Sequence, residues 1–229
     1  MIDHPVVVIP AFNEAATLRT VAQGVLAHVA DVIIVDDGSR DGTGASVSDL
    51  PVTLLTHGVN CGKGASLCTG AVRALAGPCA HIVTMDADGQ HDPGDLPSLL
   101  AIARDYPDAF VIGARMISHG PRPPLRLAAN RLADWAVSRI TGCRVIDSQS
   151  GLRVYPRRLF ETLMQAGAEG GFAFETRALI TAAQLGMPLL LIPIEARYPA
   201  HRRPSHYRPV RDTIRIARLL VGEWLHQVR

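Results

Sequence analysis

The sequence predicts an α/β fold, a mainly parallel central sheet flanked by helices, from two observations. Short Val/Ile-rich runs alternate with helical patterns through the first half of the chain, and the runs end in clusters of polar or turn residues. Such alternation is the βαβ rhythm of a parallel sheet covered by helices. The runs lie at residues 6–10, 32–36, 52–56, 81–86 and 109–114, with a helical pattern over 15–29 after the first. The strand-end clusters read Asn13-Glu14, Asp36-Asp37-Gly38-Ser39 and Asp86-Ala87-Asp88-Gly89. Ligands of open α/β sheets sit outside the carboxyl ends of the strands, so these clusters are expected to converge on one crevice.

Beyond residue 115 the pattern changes. Gly120-Pro121-Arg122-Pro123-Pro124 reads as a loop, followed by a helix over 125–140 with Leu127, Leu132, Trp135 and Ile140 as its apolar contacts. A strand over 150–155, a helix near Phe160, a helix over 175–185, a strand over 189–197, a basic loop near 198–209 and a helix near 210–228 complete the order. No repeat, low-complexity tract or linker interrupts the 229 residues, which are expected to form a single domain.

Composition narrows the function classes. With 48% hydrophobic and 19% charged residues the chain suits a globular core, and a chain of this size buries roughly 70% of its unfolded surface without disulfides or a structural metal. Twenty-three basic against 21 acidic residues leave a net charge of +2, too balanced for a nucleic-acid coat, so no nucleic-acid partner is expected. Cys61, Cys68, Cys79 and Cys143 show no C-x-x-C spacing, which fits a reducing compartment. Met1-Ile2-Asp3-His4-Pro5 lacks the pattern of a secretory signal, and the apolar run at 188–194 is far shorter than the roughly 20 residues of a membrane span. A cytoplasmic location is expected. In the last helix, Ile214, Leu220, Trp224 and Val228 lie on one side with Arg211, Arg215 and Arg218 on another. That pattern suits peripheral contact with anionic lipid, or packing on its own domain or a second subunit.

The most informative element is Asp86-Ala87-Asp88. Two carboxylates two residues apart on an extended backbone point the same way and repel, and a hard divalent cation, Mg²⁺ or Mn²⁺, resolves that repulsion while keeping positions open for phosphate oxygens. Gln90 adds a carbonyl; the plain alternative is a pair of turn caps. Asp37 can accept hydrogen bonds from a nucleobase or ribose, whereas Asp41 and Thr43 read as ordinary caps of the next helix. Asn60-Cys61-Gly62-Lys63-Gly64 has only half of a phosphate loop, which excludes an ATPase, yet places Lys63 at a helix start where it meets an anion or an acidic partner. Arg115 at a strand end and Arg126 or Arg131 on the following helix are placed to hold a phosphate group. Glu175, flanked by aromatics, is expected to be desolvated and to have a raised pKa or a cationic partner.

Seven motifs in order, from Val8-Ile9-Pro10-Ala11-Phe12-Asn13-Glu14 through Asp36-Asp37-Gly38-Ser39, residues 60–64, Asp86-Ala87-Asp88-Gly89-Gln90-His91, Gly113-Ala114-Arg115 and Asp147-Ser148-Gln149-Ser150-Gly151-Leu152-Arg153 to Phe174-Glu175, spell a family. From about residue 5 to about residue 215 the chain resembles family 2 glycosyltransferases, most of all dolichol-phosphate mannose synthases and bacterial polyprenyl-phosphate glycosyltransferases. The resemblance implies a GT-A fold, Rossmann-like and built for nucleotide-diphospho-sugars. It also implies inverting transfer of mannose or glucose from a GDP- or UDP-sugar to a polyprenyl or dolichyl phosphate. Pro10, Phe12, Glu14, Val35 and Asp37 would hold the nucleoside, with Phe12 where relatives commonly carry tyrosine. Asp86, Asp88 and Gln90 would hold the metal, Asp88 being central to catalysis. Asp147 is expected to orient Arg153 or Arg126, the alternative being a base toward a hydroxyl acceptor. The loop holding Arg203 and His206 would close over the diphosphate, with His206 making closure pH-sensitive. Transfer to a hydroxyl of a lipid, pigment or glycan is the neighbouring reading, and nucleotide-sugar binding without turnover a further one.

Overall fold

Val6, Val7, Val8 and Ile9 are all buried, the continuous burial of a strand covered on both faces. The computed structural model describes residues 4–118, 124–165 and 173–196, the side chains of 117–118 and 124–130 excepted. In chain order the elements are β1 (Val6–Ala11), α1 (Leu18–Leu26), β2 (Asp31–Asp36), β3 (Thr53–Thr56), α2 (Lys63–Leu75), β4 (His81–Thr84) and α3 (Leu96–Asp105). There follow β5 (Phe110–Ser118), α4 (Pro124–Thr141), β6 (Arg153–Pro156), α5 (Arg157–Gln165), α6 (Ala173–Gln184) and β7 (Leu189–Ala196).

One sheet of seven strands runs in the order β3-β2-β1-β4-β6-β5-β7. All pairings are parallel except those of β6, which runs antiparallel to β4 and β5. Chain order reverses at β1, flanked by β2 on one side and β4 on the other. That switch point is where an open α/β sheet splays its connections and leaves a crevice. Alternate residues of β1 feed two cores: Val6 and Val8 join α2, α5 and α6, while Val7 and Ile9 join α1 and α3. Close packing shows at Gly70 of α2, where a Cβ would overlap the Val8 side chain.

Two sequence expectations are corrected. The first helix starts at Leu18 rather than residue 15, because the Glu14 carbonyl accepts from Thr17 and Leu18 and leaves 12–16 as a turn. On α4, Leu132 and Trp135 are exposed, at 65% and 62%, whereas Val137 is fully buried. The inward face is fixed instead by polar anchors: Asp134 accepts from the N–H groups of Asp147 and Ser148, and Ser138 Oγ from that of Val145. Satisfying that loop's backbone outweighs burial of the apolar stripe. The 198–209 loop with Arg203 and His206, and the 210–228 helix, lie outside the described residues. No described helix is long and apolar enough to cross a membrane.

Burial pushes the His81 imidazole below its ordinary pKa, against a hydrogen bond from Nε2 to the Pro107 carbonyl. The unfolded ring takes a proton below about pH 6.5 while the folded one resists, so stability present above that pH is lost as pH falls. His81→Gln should therefore flatten the decline in Tm between about pH 7 and pH 5; an unaltered pH profile would show that this ring does not contribute.

Candidate active site at the strand ends

The ladder between β1 and β4 ends with Met85 N–H donating to the Val8 carbonyl, and Asp86 follows at once. Lys63, the first residue of α2, meets it: Nζ lies 2.6 Å from Asp86 Oδ1 and 2.7 Å from Glu175 Oε1. Gly62, with φ of 94°, supplies the left-handed turn that starts α2 there. Glu175, in the first turn of α6, is 1% exposed, and no other donor reaches its carboxylate among the described residues. One ammonium thus serves a buried carboxylate, Glu175, and a half-buried one, Asp86, from distant parts of the chain. Burial opposes the charge on Lys63, but Asp86 and Glu175 outweigh it and hold the ammonium well above its usual pKa. Burial likewise opposes ionisation of Asp86, and Lys63 overcomes it, keeping the carboxyl below the usual range. Asp88 shifts upward, through burial and then the Asp86 charge beside it. The two carboxyls are thereby pushed apart, Asp86 held ionised by Lys63 and Asp88 disfavoured from ionising beside it.

Asp88 accepts from the backbone N–H of Gln90 at 3.0 Å and from its Nε2 at 2.6 Å. Gln90 Oε1 in turn accepts from Arg115 at 3.3 Å. His91 is 2% exposed, neither ring nitrogen has a hydrogen-bond partner among the described residues, and burial, with Arg115 nearby, pushes its pKa down to about 4. Asp86, Asp88, the Gln90 carbonyl and a neutral imidazole are the oxygen-rich residue types a hard divalent ion takes, but among the described residues the ligand atoms of Asp86, Asp88 and His91 do not converge within 4.8 Å, as those of Asp37, His57 and Cys61 do. The backbone is shaped to this cluster at Gly151, where a Cβ would overlap both Asp86 oxygens.

Arg115 is gripped by Asp147. Its Nε and Nη2 donate to the two carboxylate oxygens at 2.7 Å each, and its backbone N–H adds a third bond at 2.9 Å. Burial opposes ionisation of Asp147, and the fork of Arg115 overrides it, lowering the pKa. Arg153, expected to take Asp147, does not. It is fully buried, donates to the carbonyls of Ser150, Glu175 and Ser148, and stacks over Phe110 at 5.6 Å. A guanidinium with three carbonyls around it fastens the 147–152 loop to α6 and needs no carboxylate. Arg131 is exposed on α4, one turn before the anchor Asp134. The Arg126 side chain lies outside the described residues.

At the β1 and β2 ends the two polar turns are laced together. Asn13 N–H donates to Ser39 Oγ, Glu14 N–H to Thr43 Oγ1, Ala15 N–H to Asp41 Oδ2, and Asn13 Oδ1 accepts from Arg40 N–H. Asp41 and Thr43 therefore join turns instead of capping a helix. Asp37 is 2% exposed and accepts from His57 Nδ1 at 2.7 Å and from the N–H groups of Cys61 and Gly62 at 2.9 and 2.7 Å. Pro10, Phe12 and Glu14 are half-buried along this edge, whereas the Val35 side chain points into the core and leaves only its backbone near the crevice. His57 escaped the sequence reading because a lone histidine after a short strand has no local signal.

A parallel sheet whose switch point gathers acidic, basic and amide groups beside a helix start belongs to the nucleotide-binding α/β class. The profile of "Glycosyl transferase family 2" matches residues 6–164, and the chain belongs to that family. It is 29% identical over 235 residues to the polyprenol monophosphomannose synthase of Mycolicibacterium smegmatis, covering 97% of this chain and 87% of that protein. It is 28% identical to a UDP-N-acetylglucosamine–dolichyl-phosphate N-acetylglucosaminyltransferase of Methanococcus voltae, covering 83% and 84%. Among solved structures, glucosyl-3-phosphoglycerate synthase of Mycobacterium tuberculosis with Mn²⁺, UDP-glucose and phosphoglyceric acid superposes with a TM-score of 0.69 at 26% identity, over 97% of this chain and 79% of that one. The fold is GT-A.

Lys63→Met leaves the buried Glu175 carboxylate and the half-buried Asp86 without their cation and should cost about 3 kcal/mol in urea unfolding at neutral pH. An unchanged midpoint would mean that the ammonium is not their counter-charge. Gly151→Ala should cost about 1–3 kcal/mol by overpacking against Asp86, read as a lowered Tm with the far-ultraviolet spectrum retained.

Proposed function

We propose that the protein is a single-domain, metal-dependent, inverting hexosyltransferase that moves mannose or glucose from a GDP- or UDP-sugar to a polyprenyl phosphate. The observation that carries the acceptor is the locking of the carboxylates around the crevice. Asp147, the nearest candidate for a base, has both oxygens on Arg115, and Glu175 is tied to Lys63. A hydroxyl acceptor needs a base to take its proton; a phosphate monoester, largely ionised above its second pKa of about 6, does not. The relatives named for polyprenol and dolichyl phosphate support the same reading.

In this reading Asp86, Asp88 and Gln90 hold Mg²⁺ or Mn²⁺, with His91 as a neighbouring nitrogen. Bound there, the ion neutralises charge that develops on the leaving diphosphate. The chain's own groups do the rest. Asp37 and the edge formed by Pro10, Phe12, Glu14 and the Val35 backbone receive the nucleoside. Lys63, held at the strand end, faces the phosphates, and Arg115, kept rigid by Asp147, presents its guanidinium toward the acceptor phosphate with Arg126 or Arg131. Arg203 and His206 serve the loop that covers the diphosphate. The acceptor lipid brings the protein to a membrane surface on the cytoplasmic side, with the 210–228 helix as the contact.

Transfer of labelled sugar from GDP-mannose and UDP-glucose to a short polyprenyl phosphate with Mn²⁺ should yield a mild-acid-labile lipid from one donor. Asp88→Ala should cut the rate by about a hundredfold or more. An acid-stable glycoside would assign a hydroxyl acceptor, and saturable donor binding without transfer would leave a binding protein.

A further inference from the structure

We propose that Asp37, His57 and Cys61 form a second metal site, at the nucleoside end of the crevice, that takes a soft divalent ion of the zinc class and withdraws Asp37 from nucleotide. The carboxylate oxygen, ring nitrogen and sulfur of these residues all lie within 4.8 Å of one another. Asp37 is buried, His57 half-buried and Cys61 exposed, so the cluster has an ordered floor and an open side. His57 Nδ1 is already 2.7 Å from Asp37 Oδ1, and Nε2 lies 2.9 Å from Thr69 Oγ1. That outer contact is the kind that orients a metal-bound imidazole: with an ion bound, the proton would sit on Nε2, donated to the Thr69 hydroxyl, leaving the Nδ1 lone pair to face the ion. Asp37 is steadied from behind by the N–H groups of Cys61 and Gly62. Cys61 Sγ is engaged by nothing stronger than a 3.4 Å contact to the Val59 carbonyl among the described residues.

Carboxylate, imidazole and thiolate are zinc-type ligands, and three of them leave a fourth tetrahedral position open. The Asp86–Asp88 set, dominated by oxygen, selects a hard ion instead, so the two ends of one crevice differ in metal preference. On binding, the Cys61 thiol loses its proton to solvent, the imidazole proton moves from Nδ1 to Nε2, and no electron is transferred. The inhibitory consequence rests on the donor reading above, because Asp37 is the carboxylate assigned there to the nucleoside.

The test uses cobalt(II) as a spectroscopic probe on the full chain with excess Mg²⁺ occupying the hard site. Wild type and Cys143→Ser should both develop a thiolate-to-cobalt charge-transfer band that Zn²⁺ displaces, and Cys61→Ser and His57→Gln should lose it with their Tm retained. Calorimetric titration with UDP and with GDP should show micromolar Zn²⁺ weakening the preferred nucleotide about tenfold in wild type and less than about twofold in Cys61→Ser. No band in wild type, or a band that survives Cys61→Ser, overturns the site. A band with no effect on nucleotide affinity overturns the inhibition. Failure of both nucleotides to bind without Zn²⁺ overturns the donor reading, while the cobalt band still decides the site.

Discussion

The Lys63 ammonium between Asp86 and Glu175 is the contact on which the crevice depends. The half-buried carboxylate of Asp86, just past β4, and the buried one of Glu175 on α6 approach a common point, an arrangement that is unfavourable without a cation between them. Lys63 arrives from a third element, α2, whose start is fixed by the Gly62 turn and by the Gly62 N–H bound to Asp37. The Asp37 end and the Asp86 end of the crevice are thereby joined through two consecutive residues. A shift of Asp37 is felt at Lys63, and a shift of Lys63 at Asp86.

The sheet provides the frame for this junction. β1, β2 and β4 end on one side because they are parallel, and β6, running the other way, returns the chain to the same edge at Arg153. The 147–152 loop is then bolted in place: Thr84 Oγ1 donates to the Gly151 carbonyl, Ser150 Oγ to that of Gly113, and Arg153 to three further carbonyls. So placed, Asp147 meets Arg115, and the absence of a side chain at Gly151 leaves room for Asp86. Preorganisation here comes from satisfied backbone groups on rigid elements more than from the ionic contacts alone.

Much of this was legible in the sequence. Period and turn chemistry located most strand ends to within a residue or two, with β5 running four residues further and β6 starting three residues later than expected, and the acidic strand ends pointed to one crevice, because both signals are local. Pairings across the chain were not legible. Lys63 and Glu175 lie 112 positions apart, and nothing in either neighbourhood specifies the other. Asp147 was matched to Arg153, its neighbour in sequence, although β6 carries Arg153 into the core and β5 brings Arg115 to the surface of the crevice. Leu132 and Trp135 suggested a buried face on α4, but the partner that decided the face was a polar loop, which hydrophobic periodicity does not report.

A double-mutant cycle joining Lys63→Met and Glu175→Gln, read by urea unfolding at neutral pH, measures the central contact most directly. If the ammonium makes Glu175 tolerable at its depth, the two substitutions are strongly non-additive, with a coupling of about 1–3 kcal/mol. Additivity within about 0.5 kcal/mol would mean that the two side chains are energetically independent, and the account of the crevice built on their contact would be wrong.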